Sequence, residues 1–287
     1  MDETAYSDGY WTSEDDLRLH YRDYAGPADR PPLLCIPGLT RNARDFDPLF
    51  EAFSGQWRII AIELRGRGES DYAKDAATYN PLQYVADIRA LLAQANVGRF
   101  VAIGTSLGGI VTMLLAAGDA SKIAGAVLND IGPVIEPEGL ARIRDYVGQG
   151  RSYPTWMHAA RSLREAQEQA FPDYEISDWL TMAKQLMAVG GSGRIAFDYD
   201  MKIAEPFSEP EPEGGVDLWP AFRALDGRPV VSIRGDRSDI FSQATHERMG
   251  QEIEGVELVT VPGIGHAPTL GEPEARSAIA ALLARVS

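Results

Sequence analysis

The pentapeptide Gly104-Thr105-Ser106-Leu107-Gly108 is the segment whose residue types and spacing most clearly allow chemistry. It follows the apolar residues 100–103 and opens into the mostly apolar residues 109–115, which predicts a buried strand, a sharp turn and a buried helix. The two glycines leave room where a Cβ would collide with the crowded turn. Since this turn pushes the Ser106 hydroxyl out of the packed layer, the pattern predicts a serine nucleophile that forms an acyl intermediate.

The motif is weak by itself, because a chain of this length contains Gly-x-Ser-x-Gly by chance roughly one time in ten. The alternative is a glycine-rich turn whose serine only caps the next helix. A catalytic serine also needs a general base within hydrogen-bond reach. The motif therefore gains weight only if suitable partners follow in the chain.

His266 is the predicted base. It lies in the loop 262–268, which follows the apolar run 258–261 and leaves the same edge of the predicted sheet as Ser106. The other three histidines are expected elsewhere: His20 on the wet face of an early strand, His158 in an insertion where it could touch substrate, and His246 in the middle of a helix.

Three aspartates compete to orient His266. Asp239 is preferred, because it lies one short loop beyond the apolar run 230–233 and just before a predicted helix, which gives it reach. Asp236 is nearer that strand but could pair with a neighbouring arginine. Asp130 is the third option, since it comes after the apolar run 123–128.

The oxyanion hole needs two backbone N–H groups aimed at the developing negative charge. Leu107 is expected to supply one at the start of its helix, where the helix dipole helps. Leu39 is expected to supply the other from the loop after Leu33–Ile36, where Gly38 allows the turn. Arg41 and Asn42 in that loop are expected to be structural.

The elements that must position these residues are strands and helices that alternate along the chain. Residues 9–25 alternate in places and predict antiparallel strands with one wet face. Continuous apolar runs, typical of strands buried on both faces, lie at 33–36, 59–62, 101–103, 123–128, 230–233 and 258–261. Helices are predicted at 42–53, 81–96, 109–117, 243–253 and 273–286. The pattern predicts an α/β fold with a mostly parallel, doubly wound sheet.

One stretch interrupts the alternation. Residues 132–220 show no convincing strand, and we interpret them as a helical cap inserted between two core strands, with residues 1–131 and 221–287 forming the core. The acidic, proline-containing segment 206–215 marks its end. The large side chains of the cap either build its own small core or contact substrate. The candidates for substrate contact are Trp156, His158, Trp179 and Met182.

Composition narrows the possible partners. The 287 residues carry a formal charge of −15, which disfavours nucleic acid and acidic membrane surfaces. The single cysteine, Cys35, lies in an apolar run and is expected to be a buried thiol. We find no signal-like N-terminus in residues 1–4, no membrane-spanning run and no metal motif. A cytoplasmic monomer or homodimer that acts on a small molecule without a cofactor is expected.

Together these motifs resemble the α/β-hydrolase superfamily in its capped serine-hydrolase branch. The resemblance includes the loop 37–39, the elbow 104–108, the acid loop 234–239, the base loop 265–266 and the segment 65–71, which is similar to the Arg-Gly-x-Gly-x-Ser loop of such proteins. Two departures are Glu63, where aspartate is common, and Pro37, where histidine is found in some members. Serine at position 106 argues against dehalogenases and epoxide hydrolases, which need aspartate there.

The resemblance implies hydrolysis of small to medium hydrophobic carboxylic esters or lactones. A carboxylate-bearing substrate would need an arginine in the pocket, which Arg142, Arg144, Arg151 or Arg194 could supply. The first alternative is a carbon–carbon bond hydrolase similar to the meta-cleavage-product hydrolases, which usually carry an aromatic residue where this chain has Ala267. The second is a catalytically silent ligand-binding protein on the same fold.

Overall fold

The structure is a computed structural model that describes residues 6–207 and 216–286. Its strands, in chain order, are β1 (Ser7–Thr12), β2 (Arg18–Tyr24), β3 (Leu33–Ile36), β4 (Ile59–Ile62), β5 (Phe100–Thr105), β6 (Ile123–Asn129), β7 (Ser152–Tyr153), β8 (Met187–Val189), β9 (Ile195–Phe197), β10 (Val230–Gly235) and β11 (Glu257–Val261). Its helices are α1 (Asp47–Phe53), α2 (Pro81–Gln94), α3 (Leu107–Asp119), α4 (Pro137–Tyr146), α5 (Trp156–Gln167), α6 (Ile176–Leu186), α7 (Ala204–Phe207), α8 (Trp219–Arg223), α9 (Gln243–Glu252) and α10 (Pro273–Leu283).

The main sheet has eight strands in the order β1-β2-β4-β3-β5-β6-β10-β11. β1 and β2 pair antiparallel, β2 pairs antiparallel with β4, and every pairing from β4 to β11 is parallel. The predicted mostly parallel α/β sheet is therefore confirmed. The carboxyl ends of β3, β5, β6, β10 and β11 meet at one edge, where loops can bring distant residues together.

The central strands are buried on both faces, as their continuous apolar runs require. In β3, Leu34 and Ile36 face the core under α2 and α3, whereas Leu33 and Cys35 face the core under α1 and α10. Burial raises the pKa of the Cys35 thiol, so this side chain behaves as a small apolar group. The two packed layers hold the strand ends in fixed positions.

Residues 132–220, which we call the cap, lie between β6 and β10 in the chain. Besides helices, the cap contains a small antiparallel sheet in the order β7-β9-β8, which the sequence analysis did not predict. Strands of two or three residues are too short to show an alternating pattern. The cap has its own apolar core, which includes Leu163, Phe171 and Trp179.

The end of the cap differs slightly from the predicted border. Most of the segment 206–215 lies outside the described residues. Helix α8 spans the predicted border between residues 220 and 221, and its Trp219 and Phe222 pack in the main core beside α3. The packing thus groups α8 with the core. Within the described ranges, none of the helices is long and apolar enough to cross a membrane.

Candidate active site

Ser106 sits at the apex of the turn between β5 and α3. Its backbone has φ +53° and ψ −117°, a positive-φ conformation that residues other than glycine rarely adopt. A Cβ on Gly104 would lie 2.3 Å from the carbonyl oxygen of Gly108, and one on Gly108 would lie 2.0 Å from that of Ile36. The two glycines therefore permit the turn that presents the Ser106 side chain.

The loop after β11 brings His266 to this serine. Nε2 of His266 lies 2.9 Å from Oγ of Ser106, and Nδ1 lies 2.8 Å from Oδ2 of Asp130. The contact with the carboxylate favours the tautomer that carries a proton on Nδ1, which leaves Nε2 free to accept the serine proton. The predicted pairing of Ser106 with His266 is thus present in the structure.

Asp130 immediately follows β6 and is fully buried. Its Oδ1 accepts a hydrogen bond of 2.8 Å from the backbone N–H of Gly235 at the end of β10. The carboxylate is therefore held between β10 on one side and His266 on the other. The sequence contains a signal for this position of Asp130, because in residues 129–131 an aspartate directly follows a buried strand.

The preferred candidate Asp239 does not contact His266, and this prediction is corrected by the structure. Asp239 instead accepts two hydrogen bonds, of 2.5 and 2.8 Å, from Arg142 in cap helix α4. Burial opposes its charged form, but the Arg142 guanidinium outweighs burial and lowers the pKa of Asp239. Asp236 is exposed. Asp239 reaches the cap rather than the histidine because it lies four residues beyond the strand end, beside α4.

The remaining histidines lie outside the site. His20 was predicted on a wet face but is buried, with Nδ1 2.9 Å from Glu63 and Nε2 2.9 Å from Asp8. His246 is also buried and contacts the carbonyl of Ser232. His158 is exposed on the cap. Two carboxylates compensate the burial of His20, which the alternating sequence pattern could not reveal.

The two predicted oxyanion donors flank Ser106. Leu107 is the first residue of α3, and the Leu39 loop follows β3, which neighbours β5. A Cβ on Gly38 would lie 3.7 Å from the Cβ of Ser106, so this loop packs directly against the serine. Across the described ranges, the N–H groups of Leu39 and Leu107 donate to no protein acceptor. Both donors are therefore available to a ligand.

A cavity of about 590 Å³ opens above Ser106 between core and cap. Of the four predicted substrate contacts, Met182 lines it. Trp179 is buried inside the cap core, Trp156 packs against that core, and His158 bonds Thr155 on the surface. Trp156 and Trp179 thus follow the alternative in which large cap side chains build the cap's own core, whereas His158 lies on the cap surface.

Four arginines were candidates for binding a substrate carboxylate, and two of them lie in the cavity wall. Arg142 and Arg151 line the cavity, whereas Arg194 bonds Ser152 away from it and Arg144 is not part of the wall. Arg41, expected to be structural, also lines the wall and is paired with Asp45 at 2.6 and 2.7 Å. In the described part of the chain, Arg151 is the lining arginine that forms no ion pair.

A family profile and a solved structure both match this chain to alpha/beta hydrolases. A profile of the family described as "Alpha/beta hydrolase family" matches residues 33–279. A crystal structure of an alpha/beta hydrolase from Novosphingobium aromaticivorans superposes with a TM-score of 0.95 and 59% identity, over 99% of each chain.

Two curated relatives carry named activities. The 3-hydroxybutyrate-oligomer hydrolase of Cupriavidus necator is 35% identical over 263 residues, which is 89% of this chain and 89% of that protein. The 2-(acetamidomethylene)succinate hydrolase of Mesorhizobium japonicum is 26% identical and covers 85% of this chain and 84% of its own. These matches extend through both the core and the cap.

Proposed function

Because the chain belongs to the alpha/beta hydrolase family, we propose that it is a serine hydrolase that cleaves carboxylic esters through an acyl-enzyme on Ser106. The observation that carries this proposal is the hydrogen-bonded series Ser106, His266 and Asp130, with distances of 2.9 and 2.8 Å. This geometry matches a nucleophile, a general base and an orienting acid.

In the proposed reaction, Nε2 of His266 takes the proton of Ser106 while Oγ attacks the ester carbonyl. The resulting imidazolium is stabilised by Asp130, which keeps its own charge. The alcohol leaves with the proton from His266, and the acid part stays bound to the serine. A water molecule then gives a proton to His266 and attacks the acyl carbon, and His266 returns that proton to Oγ of Ser106 as the acid is released.

The tetrahedral intermediates place negative charge on the former carbonyl oxygen. We assign the N–H groups of Leu39 and Leu107 to this oxygen, because both lie beside Ser106 and have no protein acceptor within the described residues. The position of Leu107 at the start of α3 adds the positive end of the helix dipole. Preorganised donors of this kind commonly lower the barrier by about 3–4 kcal/mol each.

Short esters of hydroxy acids are the substrate class that we favour. One relative acts on 3-hydroxybutyrate oligomers and another on a succinate derivative, and both substrates carry carboxylates. The cavity is of a size that holds small organic ligands, and Arg151 offers a guanidinium without an ion-pair partner in the described ranges. We propose that Arg151 binds the free carboxylate of the substrate while Ser106 attacks the ester.

A substrate panel tests the reaction class. It compares p-nitrophenyl butyrate, the linear dimer of 3-hydroxybutyrate, a lactone and a vinylogous diketo acid, with Ser106→Ala as the matched control. The proposal expects turnover of the esters and a loss of at least about 1,000-fold in kcat for Ser106→Ala. Turnover of the diketo acid alone would assign carbon–carbon cleavage instead. Ester turnover that persists in Ser106→Ala would overturn the serine mechanism.

A further inference from the structure

Arg67 is a fully buried arginine directly beneath the Leu39 loop. Its Nε and Nη2 both donate to the carbonyl oxygen of Leu39, at 2.9 and 2.6 Å. Nη1 donates to the carbonyl of Arg65 at 2.6 Å, and Nη2 also donates to the hydroxyl of Tyr84 at 3.1 Å. The guanidinium thus holds one carbonyl group with two donors and is itself held by two further oxygens.

The acceptors of Arg67 are uncharged, in contrast to those of Arg65 two residues earlier. Arg65 is equally buried, but it donates to the carboxylates of Asp87 and Asp15 at 2.7–2.9 Å. Within the described ranges, no carboxylate forms an ion pair with Arg67. Burying a cation without an anion is costly, so its hydrogen bonds and the faces of Tyr79 and Tyr84 must compensate.

We propose that Arg67 is a positioning residue of the oxyanion hole, which rests on the function proposed above. Its two donors fix the orientation of the Leu39 carbonyl, and this fixes the adjoining backbone that carries the Leu39 N–H beside Ser106. Without this contact the loop can rotate, and the N–H loses its alignment with the oxygen of the intermediate. The buried positive charge adds a favourable field at the same oxygen, since the surroundings are poorly screened.

The loop that carries Arg67 is itself fixed from the cap side. The N–H of Gly68 donates to the carbonyl of Asp198 at 3.1 Å, and the N–H of Asp200 donates to the carbonyl of Gly66 at 2.8 Å. Arg67 therefore sits on a support held by backbone hydrogen bonds on one side, while its side chain holds Leu39 on the other.

The test compares Arg67→Met and Arg67→Lys with Arg65→Lys as the matched control. A trifluoromethyl ketone that adds to serine reports on the oxyanion hole, because its adduct places an oxyanion there, while the acid product reports ground-state binding. We expect kcat for p-nitrophenyl butyrate to fall about 10- to 100-fold in Arg67→Met, with KM changed less than about threefold. Ketone affinity should fall by a similar factor, and product affinity should not.

Arg67→Lys keeps the charge but loses the paired donors, so it should recover part of both losses. It also carries the test if Arg67→Met does not fold. Arg65→Lys should lower thermal stability while leaving kcat and ketone affinity within about threefold of the wild type. Unchanged kcat and ketone affinity in a folded Arg67 variant would overturn the positioning role alone. A wild-type protein that neither hydrolyses the ester nor binds the ketone would overturn the proposed function and this role together.

Discussion

The carboxylate of Asp130 lies 2.8 Å from Nδ1 of His266. Asp130 directly follows β6, which lies in the sheet between β5, the strand before Ser106, and β10, the strand before the loop with Asp239. The main sheet thus fixes the positions of the proposed base and its proposed orienting acid. Asp239 lies on a longer loop and joins the core to the cap through Arg142.

The first prediction concerns these two aspartates. Asp130→Asn should lower kcat by about 1,000- to 10,000-fold, because an amide cannot favour the reactive tautomer of His266 or stabilise its imidazolium form. Asp239→Asn should lower it by less than about tenfold, since it only weakens a partly exposed ion pair with Arg142. Steady-state kinetics on p-nitrophenyl butyrate measure both. A larger loss in Asp239→Asn would return the orienting role to that residue.

The elbow glycines give a second prediction. Gly108→Ala places a methyl group 2.0 Å from the backbone oxygen of Ile36, which cannot move without shifting β3. We expect a loss of stability of about 1–3 kcal/mol or more and little remaining activity. Gly98→Ala is the control, because nothing lies within 4 Å of the new methyl group. Urea unfolding measures both variants, and equal stability of the two would contradict the crowding seen at the elbow.

His20 predicts a specific pH dependence of stability. Burial disfavours its charged form, but Glu63 and Asp8 outweigh burial and raise the pKa of His20. A raised pKa in the folded state means that the stabilisation is complete below the unfolded-state pKa of about 6.5 and is lost as pH rises through the folded-state value. The difference in unfolding free energy between the wild type and His20→Gln should therefore shrink as pH rises above about 6.5.

His246 is a control for which the opposite pH dependence of stability is expected. Burial lowers its pKa, so the stability that depends on neutral His246 is present above the ordinary pKa and falls as pH decreases. Urea unfolding of His246→Gln should give a difference from the wild type that grows as pH rises toward about 6.5 and stays constant above that pH. Parallel pH trends for the two variants would contradict the environments described for these histidines.

Arg151 should decide between charged and neutral substrates. Arg151→Gln is expected to raise KM for the 3-hydroxybutyrate dimer about tenfold, because a charge-assisted hydrogen bond to the carboxylate is lost. KM for p-nitrophenyl butyrate, which has no carboxylate, should change less than about twofold. Arg194→Gln is the control, since Arg194 bonds Ser152 outside the cavity. Equal effects on both substrates would contradict a carboxylate site at Arg151.

Many strands, helices and turns of the core could be predicted because their sequence signals are local. Strands β3 and β4 coincide with their apolar runs, and α2 begins at Pro81 with Asn80 as its N-cap. Ser106 was predictable because the elbow needs glycine at two fixed positions. Each of these signals is carried by residues adjacent in the chain.

The remaining features depend on partners distant in sequence. The choice of Asp130 over Asp239 depends on Gly235 and Arg142, and no local pattern reveals either contact. The burial of His20 likewise depends on Glu63, 43 residues away. In the cap, β7 has only two residues, which is too short to produce a recognisable alternation. These features arise from tertiary packing.

The central claim is that Ser106 is a nucleophile activated by His266, and covalent labelling tests it most directly. A fluorophosphonate should modify the wild-type protein, and peptide mass spectrometry should place the adduct on Ser106. Ser106→Ala should not react, and His266→Ala should react at least about 100-fold more slowly because the base is missing. No adduct on the wild type, or an adduct on any other residue that persists in Ser106→Ala, would contradict the proposed mechanism.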